Sequence, residues 1–426
     1  MGTGEKGALY KGKRAPDSET SRGAVLLEDS GPGHGSLGRA RRAVEVGGTR
    51  PFVRIPNPNC YAEKPLDQVG WCHLQAWVKS ARAPGGEIRT VPDPTPGDSE
   101  VLIRVRASSV CGTDVHIWTW NEWAQSRVKR LPMIIGHEVS GEVIGIGREV
   151  RSLRVGDHVS AETHIADGTC YQCRTGKMHI CENVQVLGVD RDGVFAEYAV
   201  LPEMNAWKNA ADLDPAIASV QEPLGNAVHA LLPEDSIEDL AGKTVLVTGC
   251  GPIGLLAIVV ARLLGARRVF ATEVNQVRIE LARKMGADCV LNPVAEGPGV
   301  VRTIREETDG NGVDVAVEMS GHPASLRLAF EALTPGGRVS LLGLFDSDAS
   351  LNLDDAIIFK AARVHGIFGR RMFETWHQVR GLLERPELRQ KMAEIITHRV
   401  PMRELPRAME LIQSMQAAKV SLEARW

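Results

Sequence analysis

At 426 residues and 43% apolar composition, the chain can bury at least one large core and has room for two or three domains. Its 50 basic and 53 acidic residues are spread evenly to a net charge of −3, which leaves no basic stripe to track a phosphate backbone and argues against a nucleic-acid partner. No apolar run approaches the roughly 18 residues of a membrane span; Leu255–Leu264 is short and contains Arg262, so no membrane association is expected.

Residues 1 to 73 are rich in Gly, Arg, Ser and Pro without a helical or strand period, and the expectation there is a disordered extension with no assigned function. The opening Met-Gly-Thr-Gly-Glu-Lys stretch lacks the apolar core of a secretory signal, so a cytoplasmic location is expected. Eight cysteines are too few for a disulfide scaffold in a chain of this length, and reduced thiols follow. From Leu74 the texture changes to alternating stretches such as Val101–Ala107 and Gly141–Gly147, bounded by Pro and Gly turns, which predict a β-rich domain.

Within that domain, Cys111-Gly-Thr-Asp-Val-His116 and Gly136-His137-Glu138 bring a thiol, an imidazole and a carboxylate, the donors a catalytic zinc takes while keeping a position open for substrate. Either motif alone is weak, because a lone Cys or His is more often packing or surface. A second cluster, Cys170-x2-Cys173-x7-Cys181, has metal-ligand spacing. It can equally be three free thiols in a loop.

From Lys243 onward the pattern becomes strand, helix, strand: 244–248, 254–264, 268–272, 276–285, 288–291, 313–318 and 338–342, which predicts a parallel sheet with helices on both faces. Gly249-Cys-Gly251-Pro-Ile-Gly254 fits G-x-G-x-x-G between a strand and a helix, where backbone N–H groups and the helix dipole receive a pyrophosphate. Glu273 lies 19 residues after Gly254 at the end of the next strand, where a carboxylate accepts the ribose hydroxyls of NAD and repels the 2′-phosphate of NADP. Arg278 nearby leaves NADP open.

These motifs resemble the medium-chain zinc-dependent alcohol dehydrogenases from about Leu74 to Trp426. The resemblance implies a mixed α/β chain: a GroES-like catalytic domain over 74–225 and about 370–426, and a Rossmann NAD-binding domain over 226–369. It also implies catalytic zinc on Cys111, His137 and Glu138, with Glu222 as an exchangeable ligand, and a proton relay through Thr113 and His116. The second cluster resembles the four-cysteine structural zinc lobe of that family, but Asp167 stands where the first cysteine belongs; zinc accepts a carboxylate oxygen, so Asp167, Cys170, Cys173 and Cys181 remain a candidate set. Ile253, Leu342, Gly343, Leu344, Ile367 and Phe368 are implied cofactor contacts, and a homotetramer is the implied assembly. His164, Trp120 and Trp123 are pocket candidates that can equally pack the domain.

Cys111-Gly-Thr-Asp-Val-His-Ile-Trp, Trp120-Asn-Glu-Trp, Gly225-Asn-Ala-Val-His and Gly369-Arg-Arg-Met-Phe-Glu-Thr-Trp376 are similar to the threonine-oxidising branch of the family. What this implies is a small amino-acid substrate, L-threonine, oxidised at its β-hydroxyl to 2-amino-3-oxobutanoate with hydride passing to NAD. A polyol or 2,3-butanediol dehydrogenase is the rival within the class; a catalytically silent protein that keeps NAD and zinc is the rival outside it.

Overall fold

Strand periodicity places alternate side chains on opposite faces, and in Glu100–Ser109 it turns Val101, Ile103, Val105 and Ala107 into a core while Arg106 faces solvent. The computed structural model describes residues 73–234, 240–345 and 347–426. The disorder expected over residues 1–73 therefore lies outside the described residues, apart from His73, which opens the strand His73–Lys79.

Glu100–Ser109 is central to a seven-stranded sheet that runs Ala206–Lys208, His158–Ala161, Glu138–Ile146, Glu100–Ser109, Lys419–Glu423, Ile396–Pro401, with Tyr198–Pro202 also paired to Glu100–Ser109. The strand Lys419–Glu423 arrives from the far end of the sequence and pairs antiparallel, Ser421 opposite Ser109. Trp77, Ile103, Val139, Phe195, Val420 and Leu422 share the resulting core.

The second sheet has six parallel strands in the order Cys289–Leu291, Arg268–Thr272, Thr244–Thr248, Val313–Glu318, Leu333–Leu341, Arg363–Gly366. All five residues of Thr244–Thr248 are buried, as expected of a strand covered on both faces. The helix Pro252–Leu263 is buried over most of its length between this sheet and the helix Gln221–Leu231. The chain order reverses between Thr244–Thr248 and Val313–Glu318, and a crevice opens there at the carboxyl ends of the strands, the usual ligand position of an open parallel sheet.

Strand expectations agree closely for the first four strands of this sheet in the chain, but the edge strand Arg363–Gly366 was not expected and one other strand differs in its start. The strand expected at 338–342 begins at Leu333, because a register shift between Val313 and Val315 absorbs Pro335-Gly336-Gly337, whose residue types read as a turn.

Phe270 is fully buried with Leu246, Ile304 and Val313 on one face of this sheet. Phe270→Ala is expected to destabilise the domain by about 3–5 kcal/mol, read as a lower unfolding midpoint. Val294→Ala, at a side chain 81% exposed, should shift it by no more than about 0.5 kcal/mol.

Candidate active site

Cys111 caps the N-terminus of the helix Gly112–Thr119, held there by Asp114, whose carboxylate accepts the Cys111 N–H at 2.8 Å. Ser109 lies opposite Glu138 in the sheet, so the chain leaving that strand carries Cys111 to the edge where His137 and Glu138 enter the next. One ligand atom of each of Cys111, His137 and Glu138 lies within 4.8 Å of the others. Behind them Asp114, fully buried, places Oδ1 3.3 Å from Nδ1 of His137. Burial works against an imidazolium here, but Asp114 and then Cys111 outweigh it and raise the His137 pKa well above its ordinary value. So anion-rich a pocket suits a cation, and its thiol, imidazole and carboxylate with room for a fourth ligand match the donor set of catalytic zinc. Asp114 would orient the imidazole from behind, as carboxylates do for metal-bound histidines.

Both acids near this group are clamped by buried cations. Glu138 accepts from Lys419 Nζ at 2.5 Å and from the Ser109 hydroxyl; Lys419 also donates to the Val110 carbonyl at 3.0 Å. Burial raises the Glu138 pKa, Lys419 opposes it, and Glu222 adds to the rise. Glu222 itself lies outside the three-residue group: Arg370 and the Asn226 amide hold its carboxylate. Arg370, fully buried, extends its fork to Glu162, with Nε to Oε2 at 2.9 Å, while the Trp376 indole donates to the same oxygen at 2.6 Å. Burial alone would raise the Glu162 pKa; Arg370 outweighs it and holds the carboxylate below its usual range.

Thr113 and His116 lie on the helix that Cys111 caps, His116 one turn along from the thiol. The Asn121 side chain is 2.6 Å from His116 Nδ1 and, as an amide donor, leaves the proton on Nε2. Trp123 packs 5.6 Å from His116, whereas Trp120 is buried in the domain core. His164 is buried and stacked on Phe368, with ring centroids 5.0 Å apart; burial, then Arg370, lowers its pKa to about 4.

In the second cluster, ligand atoms of Asp167, Cys170, Cys173 and Cys181 also lie within 4.8 Å of one another. Cys181 Sγ accepts the N–H groups of Asp167 and Asn183 at 3.4 and 3.3 Å. Asp167 accepts from the Asn183 side chain at 2.5 Å and from the Thr169 and Cys170 N–H groups, which hold its pKa far below the usual carboxylate range. Three sulfurs and an ionised oxygen fit a four-coordinate zinc.

Gly249 has φ of +87°, and a Cβ on Gly254 would stand 2.0 Å from the Gly249 carbonyl, so the turn into the helix Pro252–Leu263 admits only glycine at both positions. Gly249, Gly251, Glu273 and Arg278 line a cleft of about 700 Å³. Glu273 accepts the Cys250 N–H at 2.9 Å and the Val274 and Asn275 N–H groups, which pins its carboxylate at the cleft. Ile253, Leu342 and Ile367 are partly buried against the core under the same sheet edge, Gly343 packs against the Gly321 backbone, and Leu344 and Phe368 are 74% and 48% exposed.

Residues 97–211 match the alcohol dehydrogenase GroES-like domain and residues 252–385 the zinc-binding dehydrogenase family. The L-threonine 3-dehydrogenase of Thermococcus kodakarensis is 48% identical over 348 residues, 82% of this chain and 97% of the relative. The chain belongs to the zinc-dependent medium-chain alcohol dehydrogenases, in the branch of the L-threonine 3-dehydrogenases. Among solved family structures, a zinc-binding dehydrogenase of Sinorhizobium meliloti bound to NADP superposes with a TM-score of 0.74 at 28% identity, covering 82% of this chain and 99% of that one. The 2R,3R-butanediol dehydrogenase of Bacillus subtilis superposes at 0.73 and 26% identity, covering 83% and 100%.

Membership in the family accounts for a zinc-binding pocket, and the structure adds residues that sequence reasoning missed. Asp114 had a local signal, standing three residues after Cys111 in capping-box position. Lys419 had none, since it reaches Glu138 across 281 residues of sequence. Asp114→Asn is expected to weaken zinc binding about 10- to 100-fold while leaving the fold intact. Competition with a chromogenic chelator measures it; an unchanged affinity would mean that Asp114 does not support the His137 ring.

Proposed function

We propose that the protein oxidises L-threonine at its β-hydroxyl to 2-amino-3-oxobutanoate with NAD as hydride acceptor. The convergence of Cys111, His137 and Glu138 beside a helix carrying Thr113 and His116 carries this reading, and the names of the curated relatives supply the substrate. Zinc held by Cys111, His137 and Glu138 would supply Lewis acidity toward the substrate hydroxyl. Thr113 and His116 carry the released proton outward, a task suited to an imidazole. Glu222, held by Arg370, serves as the exchangeable acid beside the metal group. Asp167, Cys170, Cys173 and Cys181 hold a second, structural ion.

NAD takes its pyrophosphate to Gly249, Gly251 and Gly254 and its adenosine ribose to Glu273, with Arg278 alongside. Ile253, Leu342, Gly343, Leu344, Ile367 and Phe368 line the nicotinamide and adenine contacts. His164, stacked on Phe368, borders the substrate pocket. The domain division at 74–225 with 370–426 and at 226–369 follows from the same reading.

Among the described residues no helix is long and apolar enough to cross a membrane. A cytoplasmic location with reduced thiols is part of the same reading, since eight cysteines are too few for a disulfide scaffold in a chain of this length. A homotetramer is supported by the open edge of the parallel sheet: among the described residues Arg363–Gly366 has no outer neighbour, and beside it Ile358 and Phe359 are 63% and 75% exposed. Phe359→Glu should shift the assembly toward smaller species by light scattering.

Production of NADH, followed at 340 nm with zinc-loaded protein, tests the substrate. Turnover of L-threonine with NAD, well above D-threonine, 2,3-butanediol and sorbitol, is the expected result. Preference for a diol or polyol would overturn the substrate and keep the chemistry, and no turnover of any would leave a silent NAD- and zinc-binding protein.

A further inference from the structure

Two stretches far apart in the sequence, Gly225-Asn-Ala-Val-His229 and Gly369-Arg370, meet in the fold, with 140 residues separating His229 from Gly369. Glu222, Gly225, Asn226 and His229 recur at helical spacing and share one face of the helix Gln221–Leu231. Arg370 lies along that face. A Cβ on Gly225 would stand 2.6 Å from Arg370 Cγ, so the arginine stem rests directly on the helix backbone. Its Nη1 donates to Glu222 and, at 3.1 Å, to the Asn226 side-chain oxygen, while Nε and Nη2 go to Glu162. One guanidinium thus sets the separation of two acids, Glu222 on this helix and Glu162 in the chain leading into the strand His164–Ile165.

The backbone of Arg370 is fixed from the same helix. His229 is buried, and its Nδ1 lies 2.9 Å from the Gly369 carbonyl, the oxygen of the peptide bond that joins Gly369 to Arg370. A carbonyl only accepts, so Nδ1 carries the proton. Burial lowers the His229 pKa to about 4, and the ring is neutral. Gly369 has φ of +60°, and a Cβ there would stand 2.5 Å from the His164 ring, so this peptide can neither carry a side chain nor slide toward His164. From the cysteine lobe, His179 meets the His229 ring edge to face with centroids 5.6 Å apart. His179 sits in the 3-10 turn Met178–Ile180, closed by the Cys181 N–H on the Met178 carbonyl at 3.1 Å, so the His229 ring is braced as well as bonded. A neutral imidazole with its donor spent on a backbone carbonyl is placed to hold geometry, not to exchange protons.

We infer that His229 is a positioning residue for Arg370: by anchoring the Gly369 carbonyl it fixes where the guanidinium holds Glu162 and Glu222. It acts through Arg370 and not on the substrate. Its effect on turnover rests on Glu222 serving beside the metal group in the oxidation of L-threonine.

The donor can be removed while the space stays filled. Asparagine places an N–H where Nδ1 stands, and leucine has none. In zinc-loaded His229→Leu, amide hydrogen exchange over residues 365–376, followed by mass spectrometry, is expected to speed up about tenfold, the scale of one lost hydrogen bond. The kcat with L-threonine should fall about tenfold in the same variant with the KM for NAD unchanged. His229→Asn should restore most of both. Should His229→Leu lack a native melting profile, His229→Gln, which is polar but carries its N–H one atom past the Nδ1 position, replaces it. Unchanged exchange in the variant without the donor would overturn the inference, and so would faster exchange with kcat unaltered. Equal losses in His229→Leu and His229→Asn would overturn it too, by assigning the effect to the packing of the ring. Wild type that turns over no L-threonine would sink the substrate reading instead, and the exchange comparison would then decide alone whether His229 anchors Gly369.

Discussion

Buried carboxylates need buried cations, and this constraint shapes the catalytic half of the molecule. Asp114, Glu138 and Glu162 are fully buried and Glu222 nearly so, in one region around the zinc-type donors. A carboxylate buried without a partner is costly to a fold. Lys419 answers Glu138, and Arg370 answers Glu162 and Glu222 with a single guanidinium. A lysine in place of Arg370 would lack the fork that reaches both acids at once. Breaking such a network from one side is costly, because the surviving partner stays buried and unpaired.

That arrangement also sets how the site handles charge. With Glu138 drawn toward Lys419 and Glu222 toward Arg370, neither acid is committed to the metal group alone, while Cys111 and His137 are held from behind by Asp114. Glu222 thus stays outside the donor group, whose three members are two held by Asp114 and one, Glu138, shared with Lys419.

Much of this was legible in the sequence wherever the signal is local. The parallel sheet announced itself through strand and helix periods, and the glycine turn with Glu273 through fixed spacing, because a strand, a turn and a helix are each specified within a few residues. Cys111, His137 and Glu138, whose ligand atoms the fold brings within 4.8 Å of one another, were legible as two short motifs. What the sequence hid is long-range: Arg370 meets Glu162 across 208 residues, and Lys419 meets Glu138 through a strand pairing that no periodicity encodes. The early start of the strand at Leu333 was hidden for another reason, since Pro335 and two glycines read as a turn until a bulge in the pairing accommodates them.

The return of Lys419–Glu423 to the sheet that carries Glu138 has a consequence for how the protein comes into being. Cys111, His137 and Glu138 leave the ribosome long before Lys419 does, and in that interval the acid has no partner for its charge. The metal pocket can take its final electrostatic form only after the intervening nucleotide-binding segment has been synthesised. The sheet that carries Glu138 is thus completed, and its buried acid paired, by a strand that the chain supplies almost at its end.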